Sequence, residues 1–393
     1  MRTDHEKFVD EWGRAFMKVD FYRHNIDEAD IRRLVDTIHT PFITTGPVVA
    51  EFEQRFAAYL GVAGAVGVMS CTQAGFLALN YWQIGPGDEV IVPAMTFLAS
   101  ATMAIHAGAT PVFVDVDPRT GLIEPSAVET AISSRTRAIV AVHLYRQLAD
   151  MRALRAIADR HDVRLLEDAA HCIEGSRDGI TPGSLGDAAC FSFYATKNIT
   201  CGEGGAIASN DVDLIAGTRL LRLHGMDKGA AERYTSTYQH WDMIMLGYKA
   251  NMTDLQASML LGQLERIESL LERREEVAQA YERRFCDIGV EFPIVSDGRS
   301  ARHVFTIWTD ADHRDRVLRE LQGDGIGVAV NYRAVPTLRY FVETYGFRRG
   351  QFPIAESIGD RTITLPLYPS LREEQIAQVL DSVERAWQPP VGP

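Results

Sequence analysis

Lys197 is the residue of this sequence whose surroundings best suit amine chemistry. It is one of only five lysines in 393 residues, because arginine supplies most of the positive charge, and arginine cannot form a Schiff base. Residues 189–205 place it between an apolar stretch and a glycine-rich turn. Partial desolvation there disfavours the ammonium form, lowers the pKa and frees the amine to attack an aldehyde. A lysine reaching solvent from the end of a loop would produce the same segment, so this stretch alone leaves both interpretations open.

Asp168 is the second candidate, since it follows Glu167 at the end of an apolar stretch. Ligands of open parallel sheets bind at the carboxyl ends of the strands. A carboxylate at that place could keep a pyridine nitrogen protonated, which makes the ring an electron sink for a neighbouring carbanion. An acidic residue that caps the next helix would give the same pair, so this alternative also remains open.

A phosphate site is predicted where the chain enters a helix through Ser70, Thr72 and Gln73. Free amides and the dipole at a helix start suit a phosphate, although ordinary capping explains the same residues. Ser192, close to the lysine, could add a hydroxyl to that phosphate. Phe97 could cover the ring of a planar ligand, although an isolated phenylalanine is more often part of a core.

The elements that position these side chains are predicted from the spacing of apolar residues between about residue 60 and 210. Short β-branched stretches alternate with helix-period segments, as in the strand-helix-strand units of a parallel sheet. Strands are predicted at residues 66–69, 89–93, 111–116, 139–144 and 163–167, and helices at 72–82, 96–107 and 151–161. Each candidate residue falls at a strand-to-helix junction, so we expect all of them to converge on one cleft.

A connecting helix and a second, smaller α/β domain are predicted in the rest of the chain. Thr253 and Gln256 have the spacing of a capping box, and an apolar stripe follows them. Further strands are predicted at 303–308 and 327–332, and helices at 314–321 and 373–387. The predicted organisation is an N-terminal segment (1–30), a large domain (31–252), a connecting helix (253–275) and a small domain (276–393).

The composition argues against several classes of protein. A net charge of −13 does not suit a surface that follows nucleic-acid phosphates. The sequence contains no apolar run of the length of a signal peptide or a membrane span, so we expect a cytoplasmic protein that binds no membrane. The five cysteines form no CxxC pair, which favours reduced thiols over disulfides and predicts no metal site.

A resemblance to a known family extends over nearly the whole chain. Residues 192–200, followed by Gly202-Glu203-Gly204-Gly205, resemble the lysine motif of the DegT/DnrJ-type sugar aminotransferases. Further matches occur in order at residues 44–47, 51–53, 87–97, 114–117, 142–145, 167–171, 185–187, 222–226, 247–254 and 365–369. So many ordered matches leave little room for coincidence.

The resemblance implies a fold and a cofactor. The fold is the α/β fold of type I PLP-dependent transferases, like aspartate aminotransferase, with a mixed, mostly parallel sheet in the large domain. Members are usually homodimers with active sites at the subunit interface. Lys197 would carry pyridoxal 5'-phosphate (PLP) and move the proton, Asp168 would contact the pyridine nitrogen, and Phe97 would stack on the ring.

The resemblance also implies further contacts. His171 would lie near the ring hydroxyl, and Lys249 would reach the phosphate bound by the neighbouring subunit. The phosphate would be held by the residues at the helix start and beside the lysine, namely Ser70, Thr72, Gln73 and Ser192. The substrate is expected near Thr45, Tyr194, His224 and Tyr332.

The implied reaction is a ping-pong transamination. An amino donor, expected to be L-glutamate, converts PLP to pyridoxamine 5'-phosphate (PMP), which then aminates a keto group of a nucleotide-linked deoxysugar. Three alternatives stay open: amination of a cyclitol ketone with glutamine as donor, dehydration of a keto sugar, and a PLP-binding regulator without turnover. Dehydrating members of the family carry histidine in place of the lysine, so Lys197 speaks against that alternative.

The sequence departs from the family pattern at three places in the region expected to shape the substrate pocket. Arg146 stands where glycine is common, Asn331 replaces the histidine of a His-Tyr motif, and Pro336-Thr337 replaces His-Leu. These departures leave the identity of the acceptor open.

Overall fold

The computed structural model describes residues 7–9, 15–229, 240–294 and 298–387. In chain order the strands are β1 (Lys7–Val9), β2 (Ala15–Met17), β3 (Gly64–Val68), β4 (Glu89–Pro93), β5 (Thr110–Val114), β6 (Thr136–Val142), β7 (Arg164–Asp168), β8 (Ala188–Ser192), β9 (Gly205–Ser209), β10 (Phe305–Trp308) and β11 (Thr362–Leu365). The α-helices are α1 (Glu28–Ile38), α2 (Pro47–Leu60), α3 (Cys71–Tyr81), α4 (Ala99–His106), α5 (Pro125–Ala131), α6 (Met151–His161), α7 (Val212–Leu221), α8 (Asp254–Glu265), α9 (Ile267–Ile288), α10 (Arg314–Gly323), α11 (Arg339–Tyr345), α12 (Pro353–Arg361) and α13 (Glu373–Trp387).

The large domain is built on a seven-stranded mixed sheet of order β3-β9-β8-β7-β6-β4-β5. Strands β4 to β8 pair in parallel, and β9 runs antiparallel to both of its neighbours. Most residues of these strands are buried, because helices cover both faces of the sheet. The predicted α/β architecture is confirmed, and the carboxyl ends of the parallel strands meet at one edge.

Local capping explains where several helices begin. Ser70 accepts a hydrogen bond from the backbone N–H of Gln73 and so starts α3 directly after β3. The capping box predicted from Thr253 and Gln256 is present at the start of α8.

The predicted connecting helix is two helices rather than one. α8 ends at Glu265, and α9 begins at Ile267 and continues to Ile288. Arg266 lies at the break, where its guanidinium pairs with Asp30 of α1 at 2.7 Å and donates to the backbone oxygen of Asn25 at 3.2 Å. The apolar stripe continues across this point, so the sequence pattern alone did not reveal the interruption.

The small domain packs helices α9, α10 and α13 around the antiparallel pair of β10 and β11. Its core contains Tyr281, Phe285, Phe305, Ile363 and Val379. The prediction of a strand at residues 327–332 was wrong, because in the described part of the chain this stretch forms no ladder, only the isolated bridge of Ala329 with Thr364. Its last residues instead line the cavity described below.

The N-terminal segment is tied to both domains. Val19 donates to the carbonyl of Gly325 at 2.9 Å and accepts from the N–H of Gly327 at 2.7 Å. Further along, the Asn25 side chain donates to the carbonyl of Asn198 at 3.1 Å. Residues 19–25 therefore cross from the small domain to the loop that follows Lys197.

Across the residues that the structure describes, no helix combines the length and the apolar character that crossing a membrane would require.

Candidate active site

A cavity of about 470 Å³ opens at the carboxyl edge of the parallel strands, where the small domain and the N-terminal segment face the sheet. Nine of the residues predicted from the sequence line it: Ser70, Thr72, Phe97, Asp168, His171, Ser192, Tyr194, Lys197 and Tyr332. The expected convergence on one cleft is therefore found in the structure.

Lys197 reaches this cavity from the turn that follows β8. Its backbone N–H donates to the carbonyl of Tyr194 at 2.9 Å, which closes the turn. The surrounding protein desolvates the amine and lowers the pKa of Lys197 to about 8, although the nearby Cys71 and Asp168 act in the opposite direction. At pH 7 roughly a tenth of the amine is therefore uncharged, far more than for an ordinary lysine.

Asp168 is the last residue of β7 and lies at the floor of the cavity. Its carboxylate accepts from the hydroxyl of Ser100 at 2.7 Å and from the N–H of Ala170 at 3.2 Å. Ser100 is in turn 2.8 Å from the hydroxyl of Thr96. No described lysine, arginine or histidine forms an ion pair with Asp168, so the carboxylate keeps the capacity to accept a further N–H from a ligand.

The start of α3 also borders the cavity, through Ser70, Cys71 and Thr72. The first amides of a helix have no partner within the helix, and the N-terminal end of the dipole favours an anion. β9 passes close by, since a Cβ at Gly205 would lie 2.3 Å from the carbonyl carbon of Ser70. The hydroxyls of Thr72 and Ser192 line the same cavity, so these groups together suit a phosphate.

His171, Tyr332 and Phe97 form an aromatic side of the cavity. The Tyr332 hydroxyl lies 3.0 Å from His171 Nε2, and the Tyr332 ring lies 5.4 Å from that of Phe97. Burial and the nearby charge of Lys197 hold the pKa of His171 well below its ordinary value, so the ring is neutral. Its Nδ1 is buried without a protein partner and remains available to a ligand.

Four predicted residues do not line the cavity: Gln73, Thr45, His224 and Lys249. Thr45 uses its hydroxyl to donate to the carbonyl of Met252 at 2.6 Å, and His224 and Lys249 are exposed. Lys249 was predicted to act in the neighbouring subunit. Its role and those of the other three residues stay predictions.

Several lining residues were missed by the sequence analysis. Phe21 gave no signal, because its segment lies more than 170 residues from the lysine and joins the cavity only through the fold. His143 was part of a matched segment but received no role. It is wholly buried, and its Nε2 lies 2.7 Å from the carboxylate of Glu167, the residue that precedes Asp168. Cys71, Thr96 and Glu203 also line the cavity.

The expectation that Arg146 shapes the substrate pocket was wrong. Its guanidinium is wholly buried below the cavity, 5.0 Å from the centre of the Phe305 ring, and donates to the carbonyl of Val304 at 3.3 Å. Burial lowers the pKa of Arg146 to about 10. This arginine therefore joins the two domains, whereas Asn331 does line the cavity as expected.

These groups fit a PLP molecule. The Lys197 amine suits its aldehyde, and the Asp168 carboxylate suits its protonated pyridine nitrogen. The unpartnered His171 Nδ1 suits its ring hydroxyl, and the helix start suits its phosphate. The fold and this site define a PLP-dependent aminotransferase of fold type I.

Comparisons with known proteins identify the family. Residues 24–384 match the model of the DegT/DnrJ/EryC1/StrS aminotransferase family, and the chain belongs to this family. The chain is 41% identical over 366 residues to the spore coat polysaccharide biosynthesis protein SpsC of Bacillus subtilis, covering 91% of this chain and 94% of the relative. It is 38% identical over 360 residues to the GDP-perosamine synthase of Caulobacter vibrioides, with 90% and 94% covered.

Solved structures agree with this assignment. Spr1654 of Streptococcus pneumoniae, described as a sugar aminotransferase, superposes in its PMP form with a TM-score of 0.89 at 31% identity, covering 94% of this chain and 98% of that one. Its PLP form superposes with a TM-score of 0.88. The chain is thus a sugar aminotransferase that uses PLP and passes through the PMP form.

Proposed function

We propose that this enzyme transfers an amino group from L-glutamate to a keto group of a nucleotide-linked deoxysugar, in the synthesis of a surface glycan or a natural product. The observation that carries the proposal is the placement of the Lys197 amine and the Asp168 carboxylate in one cavity. The GDP-perosamine synthase among its relatives supports a nucleotide-linked acceptor.

Lys197 is the group that moves protons. When bound, PLP supplies an electrophilic aldehyde and a ring that withdraws electrons from the carbon bearing the amino group. With a pKa of about 8, Lys197 can take a proton from Cα of the donor and return a proton in the second half of the reaction. The Asp168 carboxylate would hold the ring nitrogen and so favour the protonated form of that nitrogen.

The remaining side chains bind and orient the cofactor. Thr72 and Ser192, with the start of α3, are proposed to hold the phosphate; Gln73, which does not line the cavity, would act only through its place in the first turn of that helix. His171 is proposed to contact the ring hydroxyl through Nδ1, and Tyr332 keeps the imidazole oriented by its hydrogen bond to Nε2.

We propose that the enzyme acts as a homodimer in the cytoplasm. Exposed apolar side chains at Met69, Phe97, Met243, Ile244 and Leu246 are consistent with a surface that a second subunit covers. In such a dimer, Lys249 of the partner subunit would complete the phosphate site. All five cysteines are free thiols, as expected in a reducing compartment.

The decisive experiment is a panel of acceptors tested against the PMP form. The panel contains several nucleotide-linked keto deoxysugars, the corresponding free sugars and a keto cyclitol, and mass spectrometry detects the aminated product. We expect amination of a nucleotide-linked sugar only. Amination of the cyclitol, with glutamine regenerating PMP faster than glutamate does, would replace this proposal by the cyclitol alternative.

A further inference from the structure

A second, much smaller cavity lies behind Lys197, on the side of the small domain. It has a volume of about 40 Å³, and the polar residues that line it are Tyr22, Thr196, Lys197, His303, Asn331 and Tyr332. A cavity of this size with several polar groups is large enough for a water molecule. Lys197 therefore lines two cavities, one suited to the cofactor and one suited to water.

The proton position on His303 follows from its contact with Asn198. The Asn198 Nδ2 group lies 2.9 Å from the carbonyl oxygen of Ala301, which can only accept a hydrogen bond. The amide nitrogen must therefore face Ala301, and the amide oxygen must face His303 Nδ1 at 3.0 Å. Because that oxygen carries no hydrogen, His303 Nδ1 must carry one.

A buried ion pair holds Asn198 in this orientation. Its Nδ2 also donates to Glu174 at 2.7 Å, and Glu174 pairs with Arg274 inside the protein. Burial raises the pKa of Glu174, and the Arg274 guanidinium opposes that shift. The orientation of the amide does not depend on Glu174 alone, since the Ala301 carbonyl requires the same orientation.

His303 is a neutral ring with one free nitrogen. Burial, followed by the charge of Lys197, holds its pKa well below the ordinary value. With the single proton on Nδ1, Nε2 has a lone pair, and no hydrogen bond from the described residues reaches it. The free nitrogen belongs to a residue that lines the rear cavity together with Lys197.

We propose that the rear cavity is a water site between Lys197 and His303, and that it lets protons on the lysine exchange with solvent while the main cavity is filled. The water donates one hydrogen to His303 Nε2 and accepts from Lys197 Nζ. As a proton passes from Nζ to the water oxygen, the water passes its other hydrogen to solvent past the exposed Tyr22 side chain, and the reverse transfer returns a solvent proton to Nζ. His303 stays neutral throughout and acts as a positioning residue. This inference rests on the proposed role of Lys197 in the donor half-reaction.

The first test follows a label. Glutamate deuterated at Cα is reacted with the PLP form, and mass spectrometry measures the fraction of PMP that carries deuterium. We expect most of the label to be lost to water in the original enzyme. His303→Asn keeps a donor for the Asn198 oxygen but has no second nitrogen, so we expect label retention to rise several-fold. His106→Asn, on the exposed end of α4, is the matched control and should behave like the original enzyme.

Equal retention in His303→Asn and the original enzyme would overturn the water site. A failure of glutamate to aminate the cofactor at all would instead contradict the proposed donor. In that case ¹⁵N NMR of the holoenzyme with labelled histidines tests the inference. The His303 signal is assigned as the one that is missing from the spectrum of His303→Asn. We expect a proton on Nδ1 only; a ring protonated at Nε2 would overturn the proposal.

Discussion

The two walls of the main cavity are built in different ways. One wall consists of Ser70, Asp168 and Lys197, each of which lies at or just after the end of a strand of the seven-stranded sheet. The facing wall consists of Phe21, Asn331 and Tyr332, which come from stretches without regular strands or helices. We call these the sheet wall and the facing wall.

The difference indicates that the sheet wall carries the groups that react and that the facing wall carries the groups that select the acceptor. The sheet wall is fixed by continuous strand pairing, which suits groups whose distances to the reacting atoms must not vary. The facing wall is held by single contacts, such as the hydrogen bond of 2.8 Å from the Val335 N–H to the Ala94 carbonyl. Residues held in this way can be exchanged without disturbing the sheet, which suits a surface that selects the acceptor. Changes in the sheet wall should therefore affect both half-reactions, and changes in the facing wall mainly the second.

Removing the lysine should have the largest effect. Lys197→Ala has no amine to take up protons, so turnover should fall by on the order of 10⁴-fold or more in both half-reactions. The absorbance band of the lysine-bound cofactor should also disappear. Lys18 is an exposed lysine paired with Asp20, so Lys18→Ala is the control and should keep its turnover and its absorbance band. A persistent band in Lys197→Ala would contradict the assignment.

Neutralising the carboxylate should have the next largest effect. Asp168→Asn keeps the shape of the side chain but loses the charge opposite the ring nitrogen, so both half-reactions should slow by roughly 10²-fold to 10³-fold. Stopped-flow absorbance of each half-reaction measures this. Ser100→Ala leaves the charge and removes only one supporting hydrogen bond, so its loss should be much smaller. Equal losses in the two variants would show that the charge is not what matters.

The pH dependence should reveal the desolvated lysine. Because the pKa of Lys197 is lowered to about 8, the free amine disappears as the pH falls below 8. The rate at which cofactor-free enzyme recombines with PLP should therefore drop about tenfold per pH unit below 8 and level off above it. Asp168 raises the lysine pKa, so the midpoint should move to lower pH in Asp168→Asn. A midpoint near that of an ordinary lysine would mean that the amine is not desolvated.

Altering the facing wall should have the smallest effect and the most selective one. Tyr332→Phe loses the hydrogen bond to His171 but keeps the ring that packs near Phe97. Tyr332 supports His171 in both half-reactions and is also a predicted contact of the substrate. We therefore expect a loss of about fivefold, the value of one ordinary hydrogen bond, with the larger share in the half-reaction with the sugar. Half-reaction kinetics with glutamate and with the acceptor check this. A larger loss with glutamate than with the sugar would contradict the proposal that the facing wall acts mainly on the acceptor.

The sheet wall could be predicted from the sequence because its determinants are local. β4 and α6 have the bounds that the apolar spacing predicted, and the cap at Ser70 is present. Asp168 ends one apolar strand and Lys197 lies in the turn after another, so a rule about strand ends was enough to bring them together. The family motif added the identity of the cofactor.

Tertiary structure decided the rest, because it depends on contacts between distant segments. Phe21 joins the cavity through backbone bonds of Val19 to residues 325 and 327, and the 327–332 stretch lines the cavity instead of forming a strand. Arg146 does not lie in the expected pocket. It lies between the domains, where its guanidinium packs over the Phe305 ring and donates a hydrogen bond to the carbonyl of Val304. The alternation and spacing of apolar residues predict the structure of a segment from the residues next to it in the chain. Which segment from elsewhere closes the cavity depends on how the domains pack, and only the folded chain determines that.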